Sequence, residues 1–238
     1  MKGPYGFEPN EDCQTCKLRT NGFFCQLPAA ALKDLDAIKF SSAYPAGAVL
    51  FVEKQPARGI YVLCEGEVKV SVSSSEGKTL ILRIARPGEV LGLMSALVNA
   101  PHEVTAETIR PCQVAFIRRD AFLRFLAAHP EAYALATRQV STQYQTACEQ
   151  LRTVALCSSV QERVAKLLLE LSAQGRETTH GTRFKVPLTH EEIAQFIGTT
   201  RESVTRALTE FKHQDLIMIQ GSTMTVQNRQ ALEHLVAA

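Results

Sequence analysis

Three cysteines, Cys13, Cys16 and Cys25, crowd into one short N-terminal stretch, and Cys112 follows much later, just ahead of a long helical run. Cys13-x-x-Cys16 makes a two-point clamp for a metal, and Cys25 offers a third ligand. Thiolates suit zinc or an iron–sulfur cluster because both are thiophilic. A thiol–disulfide switch and a cofactor-free segment are the other readings of the same residues. Cys64 lies in an apolar strand run, I-Y-V-L-C-E-G, and reads as a small core residue. Cys148 and Cys157 fall on or beside the long helix and read as helix packing.

The other chemically suggestive stretch is L-T-H-E-E-I-A-Q-F-I-G-T-T-R-E-S-V-T-R-A-L, from Leu188. Thr189 caps a first helix, and Glu192 three residues on completes a capping box. Ala194 is small where two helices cross, and Gly198 supplies the positive φ of a tight turn. Thr200 caps a second helix whose inner face is Val204 and Leu208. That leaves Arg201, Glu202, Thr205 and Arg206 on the outward N-terminal half, the part of a recognition helix that enters a major groove. Arginine bonds guanine O6 and N7 bidentately, and glutamate accepts from cytosine N4. The pattern is a helix-turn-helix over residues 189–211, with His190 on the surface near a DNA phosphate.

The elements that must position these groups follow from periodicity. Residues 29–37 predict a short helix, and short β segments follow at 49–52, 60–63, 68–72, 80–84, 90–93 and 113–117, punctuated by glycine. Such spacing suggests an antiparallel roll or barrel. Residues 120–128 predict a short helix stopped by Pro130, and a long helix runs from Glu131 to about Cys157. Along it Tyr133, Thr137, Val140, Tyr144, Ala147, Leu151 and Val154 fall on alternating four- and three-residue steps, a seam expected to pair with a second copy of the chain. An amphipathic helix at 160–171, a polar loop at 173–181 and a strand at 184–186 lead to the helix-turn-helix. A hairpin at 216–219 and 224–226 reads as a wing. The expected organisation is α+β: a cysteine-rich segment at 1–27, a β roll at 28–128, a dimerisation helix at 129–158 and a winged helix-turn-helix at 159–238.

Composition narrows the function classes. At 238 residues, 45% of them apolar and 21% charged, the chain suits two ordinary globular domains. A formal net charge of +2 is too small to signal nucleic acid by itself, so a DNA-binding argument has to rest on the motif. No apolar stretch approaches the ~18–20 residues of a membrane span, and residues 1–10 lack a secretory signal, so a cytoplasmic protein is expected. Seven cysteines in a reducing compartment then argue for metal, redox or core roles rather than a disulfide framework. No phosphate-binding loop, zinc-protease or serine-hydrolase motif occurs, no thioredoxin-like βαβ unit surrounds the C-x-x-C, and an enzyme is not expected.

The order of β roll, long helix and winged helix-turn-helix resembles the Crp/Fnr superfamily of bacterial transcription regulators, from about Leu27 onward and most sharply in I-A-Q-F-I-G-T-T-R-E-S-V-T-R. The resemblance implies a cyclic-nucleotide-binding-like roll, a homodimer, a two-fold palindromic DNA site with a T-G-A-like core, and contact with RNA polymerase. It assigns the reading of G·C pairs to Glu202 and Arg206. Arg201 matches an extra arginine of the cyclic-AMP branch, and Thr205 a small residue that discriminates within the half-site. In G-E-V-L-G-L-M-S-A-L-V-N-A-P-H-E-V-T-A, however, the family's ribose-binding glutamate position reads Leu93, and its phosphate-binding arginine position reads His102 or Glu103. A glutamate there repels a phosphate, so cyclic-nucleotide binding is not expected.

The cysteine segment resembles the oxygen-sensing Fnr branch instead. There the fourth cluster ligand precedes the dimer helix, as Cys112 does in E-T-I-R-P-C-Q-V-A-F. The resemblance implies a [4Fe–4S] cluster on Cys13, Cys16, Cys25 and Cys112, although the eight residues between Cys16 and Cys25 make a longer loop than that branch usually has. Oxygen, nitric oxide or redox stress would degrade the cluster, loosen the seam and weaken DNA binding. The alternative is a cluster-free regulator of the same fold, gated by a small ligand or by thiol oxidation.

Overall fold

The computed structural model describes residues 4–7, 12–16, 24–173 and 175–237. The loop between Cys16 and Cys25, residues 17–23, lies outside the described residues, as does most of 1–11. The chain divides into two compact units, Met1–Ser74 with Leu82–Ala147, and Ser75–Ile81 with Cys148–Ala238.

The first unit starts with α1 (Ala29–Ile38) and runs through β1 (Lys39–Tyr44), β2 (Val49–Phe51), β3 (Gly59–Glu65), β4 (Val68–Ser73), β5 (Thr79–Ala85) and β6 (Val90–Leu91). Then come α2 (Leu93–Val98), β7 (Thr105–Thr108), β8 (Cys112–Arg118), α3 (Arg119–Ala128) and α4 (Pro130–Leu156); the start of β5 to Ile81 and the end of α4 from Cys148 belong to the second unit. The strands form two sheets, ordered β1-β8-β3-β6 and β2-β7-β4-β5. The central strands of the first sheet, β8 and β3, are buried on both faces. Leu63 and Val114 face the interior of the roll with Leu50 and Val68, while Val62, Ala115 and Ile117 face α1 and α3 with Leu32 and Phe122. A strand buried on both sides reads as an unbroken apolar run, which is why Y-V-L-C and Q-V-A-F-I stand out in the sequence.

Four elements of this unit depart from the sequence pattern. β1 and β7, K-F-S-S-A-Y and T-A-E-T, are too polar to show an apolar alternation. The six residues L-M-S-A-L-V form helix α2, where the expected strand ended at Leu93; an apolar run this short has no resolvable period. Pro130 opens α4 instead of merely stopping α3, taking the first helical position where its missing N–H costs nothing.

The buried face of α4 is small and polar: Ala132, Ala136, Gln139, Gln150 and Thr153. Gln139 is 1% exposed and completes the backbone of β6, the edge strand of its sheet. Its Nε2 donates to the Val90 carbonyl at 2.6 Å, and its Oε1 accepts the Val90 N–H at 3.3 Å. Gln143 donates to the same carbonyl at 3.2 Å. A primary amide thus stands in for the missing neighbouring strand. Of the expected seam residues, Tyr133, Tyr144 and Leu151 are exposed, whereas Val140 packs partly on the core beneath α1.

The second unit comprises α5 (Val160–Ser172), β9 (Arg176–Thr178), β10 (Gly181–Lys185), α6 (His190–Ile197), α7 (Arg201–His213), β11 (Ile217–Gln220), β12 (Thr223–Val226) and α8 (Arg229–Ala237). Its sheet runs β11-β12-β10-β9. The expected polar loop at 173–181 contains β9, an exposed strand held by the register Thr182↔Glu177, and a closing helix, α8, follows the hairpin. Among the described residues no helix is long and apolar enough to cross a membrane.

Candidate nucleic-acid interface and thiol pocket

Helices α6 and α7 form the expected turn. The Thr189 hydroxyl accepts from the Glu192 N–H at 3.2 Å, and the Glu192 carboxylate accepts from the Thr189 N–H at 3.0 Å, closing the capping box. Gly198 ends α6 at φ 66°, and a Cβ there would meet a Val154 methyl at 2.9 Å. Gly198→Ala is therefore expected to destabilise this unit by about 1–2 kcal/mol from the left-handed backbone, read in its urea unfolding transition. Thr200 caps α7 by accepting from the Ser203 N–H at 3.3 Å.

Val204, Ala207, Leu208 and Phe211 bury the inner face of α7, and Arg201, Glu202, Thr205 and Arg206 are exposed on the other. Hydrogen bonds from its own amide and from the Thr200 hydroxyl, beside Arg201 and Arg206, hold the Glu202 carboxyl below the usual carboxylate range. It is ionised at neutral pH and can only accept, as a contact to cytosine N4 requires. His190 has a role the sequence did not suggest. Its Nδ1 lies 3.0 Å from the Thr205 hydroxyl, which itself donates to the Arg201 carbonyl at 3.0 Å, so His190 is the donor and ties α6 to α7.

The roll holds an apolar cavity lined by Phe51, Val70, Leu91, Leu93 and Val104, with Tyr144 and Ala147 of α4 beside them. Leu93 is 1% exposed at the position expected to hold a ribose-binding glutamate. Its charged groups are occupied: Ser95 donates to Glu103, and Arg83 pairs with Glu89. His102 stacks on Phe51 with ring centroids 3.9 Å apart. Burial holds its pKa below the ordinary value, against the opposing pull of Glu103, so it is neutral near pH 7.

The N-terminal cysteines meet in a second cavity beneath α1. Cys13, Cys16 and Cys25 line it together with Cys64 of β3, Lys39 and an apolar remainder that includes Phe24 and Leu32. The Cys13 N–H donates to the Asp36 carboxylate at 3.0 Å, and its sulfur accepts from Lys39 Nζ at 3.2 Å, with Lys39 also paired to Asp36. Burial pushes the Cys13 thiol up to about 11 and, with charge at Cys13, Cys25 and Cys16 adding to it, the Cys64 thiol up to about 12. No two of the seven cysteines are joined in a disulfide.

Cys112, the fourth ligand that the resemblance implies, does not line this cavity. It is fully buried in the roll interior beside Val114, and its thiol donates to the carbonyls of Arg110 at 3.1 Å and Glu67 at 3.4 Å. The reason is strand alternation: Cys112 shares the face of Val114, whereas Ala115 and Ile117 face the thiols. The fourth thiol near the N-terminal three is Cys64, whose apolar strand context made it read as core.

Comparison with known proteins bears on the roll and on the helix-turn-helix. Residues 162–235 match the Crp-like helix-turn-helix domain, and residues 42–129 match the cyclic nucleotide-binding domain. A CRP-like cAMP-activated global transcriptional regulator of Mycobacterium tuberculosis is 31% identical over 206 residues, covering 86% of this chain and 89% of that one. The cAMP-activated global transcriptional regulator CRP of Haemophilus influenzae is 28% identical, covering 77% and 82%. Among solved structures, FixK2 from Bradyrhizobium japonicum superposes with a TM-score of 0.74 at 24% identity, covering 84% of this chain and 98% of that one. The c-di-GMP responsive global regulator CLP of Xanthomonas campestris gives a TM-score of 0.74 at 22% identity, covering 84% and 99%.

Proposed function

Because the chain belongs to the Crp/Fnr family of DNA-binding transcription regulators, we propose that it is a homodimeric regulator whose DNA affinity is set by a [4Fe–4S] cluster on its N-terminal thiols. Oxygen, nitric oxide or redox stress is the signal. The observation that carries this reading is the cavity beneath α1, where Cys13, Cys16 and Cys25 converge with a further thiol. Thiols that are half-buried, with Cys13 hydrogen-bonded from Lys39, fit an iron–sulfur cluster. Among the described residues no three histidine, cysteine, aspartate or glutamate side chains are arranged to hold a single metal ion. When bound, the cluster supplies a centre that oxidants destroy.

The chain's own residues do the rest. The core beneath α1 that packs Cys13 and Cys64 also packs Ala132 and Ala136 of α4. Val62 of β3 pairs with Val90, whose amide and carbonyl are held by Gln139 of α4. A change in the thiol cavity therefore has a short, buried route to the helix that carries Tyr133, Tyr144 and Leu151, exposed apolar groups that a second copy would cover. Two copies present two α7 helices to a two-fold DNA site, one turn or ~34 Å apart. Arg206 and Glu202 would read base edges, Arg201 and Thr205 would support them, and the protein would contact RNA polymerase at its promoters.

The roll of this chain would not take a cyclic nucleotide, unlike what the names of its relatives state for them. Leu93 cannot bond a ribose, His102 is neutral, Arg83 is engaged by Glu89, and Glu103 opposes a phosphate. The apolar cavity supports a second reading, a cluster-free regulator gated by an uncharged apolar effector. Fluorescence anisotropy with a labelled two-fold duplex, on protein purified without oxygen, tests these readings. Specific binding that weakens in air and ignores added cyclic AMP is expected. Binding that is unchanged by air but strengthened by cyclic AMP would overturn both the cluster and the closed roll.

A further inference from the structure

We infer that Cys64, and not Cys112, is the fourth ligand of the N-terminal site, an assignment that rests on the iron–sulfur reading above. The first observation is placement: Cys64 lines the same cavity as Cys13, Cys16 and Cys25, and it packs with Cys13 against the same core. The second is the backbone beside it: Cys64 shares the face of Val62, and the strand pairing is interrupted at Cys64 itself. β3 pairs with β8 through Leu63↔Val114 and then Glu65↔Gln113, so β3 carries one residue more than its partner at Cys64. A bulge of this kind leaves the extra residue out of the ladder and re-aims its side chain, and bulges concentrate beside functional sites. A plain core cysteine would need no such interruption of a central strand pair.

The environment of Cys112 argues the other way. Its sulfur is enclosed by the carbonyls of Arg110 and Glu67 and by the backbone of Gly66, where a Cβ would lie 2.4 Å from it. Turning it toward α1 would need a one-residue slip of β8, which would also carry Val114 out of the roll interior and Ala115 and Ile117 out of the core beneath α1. Ligation by Cys64 asks for no such rearrangement. Each of the four thiols gives up one proton on binding iron, and no electron is transferred in that step. The assignment also enters the ligand into β3, the strand that pairs with β6 and so reaches Gln139.

The test is anaerobic reconstitution of the full chain with iron and sulfide, for the wild type, Cys64→Ser and Cys112→Ser. The readouts are bound iron, acid-labile sulfide, the visible spectrum and a thermal melt. Loss of most iron and sulfide in Cys64→Ser, with Cys112→Ser matching the wild type, is the expected result. Normal loading of Cys64→Ser with loss in Cys112→Ser would overturn the assignment and leave the iron–sulfur reading standing. A wild type that takes up neither iron nor sulfide would overturn that reading and this assignment with it. Should Cys64→Ser melt like an unfolded chain, alkylation of the loaded wild type decides. Cys64 should be protected when loaded and react after a chelator strips the iron, and equal labelling in both states would overturn the assignment.

Discussion

Replacing Arg206 with alanine is expected to weaken binding to a two-fold DNA site by about 2–6 kcal/mol per dimer, roughly 30-fold to 10⁴-fold. A bidentate arginine–guanine pair is worth about 1–3 kcal/mol, and a dimer makes the contact twice. Arg206 is exposed on α7, and the Ser203 hydroxyl that its Nη2 touches at 3.5 Å is a weak tether, so truncation costs the fold little. The variant should melt with the wild type. It should also lose discrimination, binding a duplex with the target G·C pair replaced about as well as the original. Anisotropy titrations against both duplexes measure this. A uniform loss on both, with specificity intact, would make Arg206 a phosphate contact instead.

Gln139→Leu is expected to destabilise the first unit by about 2–4 kcal/mol and to make DNA affinity insensitive to the state of the thiol cavity. Leucine fills similar volume but leaves the Val90 N–H buried and unpaired, at about 1–3 kcal/mol, and removes one of two bonds to its carbonyl at about 1 kcal/mol more. Gln143→Leu is the internal control. It removes one bond from a carbonyl that keeps Gln139, so its cost should be near 1 kcal/mol. Urea unfolding of both variants gives the stabilities, and anisotropy before and after air gives the coupling. Stabilities as predicted with full air sensitivity would show that the signal does not pass through Val90.

The DNA-reading end was legible because its determinants are local. Thr189, Glu192, Gly198 and Thr200 act within a few residues of themselves, and the capping box and αL cap they suggest are present. The long strands were legible because strands buried on both faces demand unbroken apolar runs. β1 and β7 escaped because serines and threonines carry no alternation, and α2 because so short a mostly apolar run fits a strand as well as a helix.

The side-chain partners of α4 and of the thiols could not be read this way. Gln139 looks like a surface glutamine until an edge strand needs its amide. Reading α4 by its apolar stripe found Tyr133, Tyr144 and Leu151 but also took in Val140, which packs partly inward. The grouping of Cys112 with the N-terminal cysteines came from resemblance, and which face of β8 it occupies depends on a register only the fold defines. Cys64 reads as core from its apolar neighbours and does pack on the core, while the bulge beside it is a mismatch between two strands, invisible in either one alone.

The most direct test of the account follows cofactor and DNA affinity in one sample: protein purified without oxygen, assayed for iron and sulfide, then titrated onto a two-fold duplex before and after air. The account predicts a brown protein with about four iron and four sulfide per chain, bleaching in air, with affinity falling in step with cluster loss. A colourless, iron-free protein that binds the duplex equally well before and after air would contradict it.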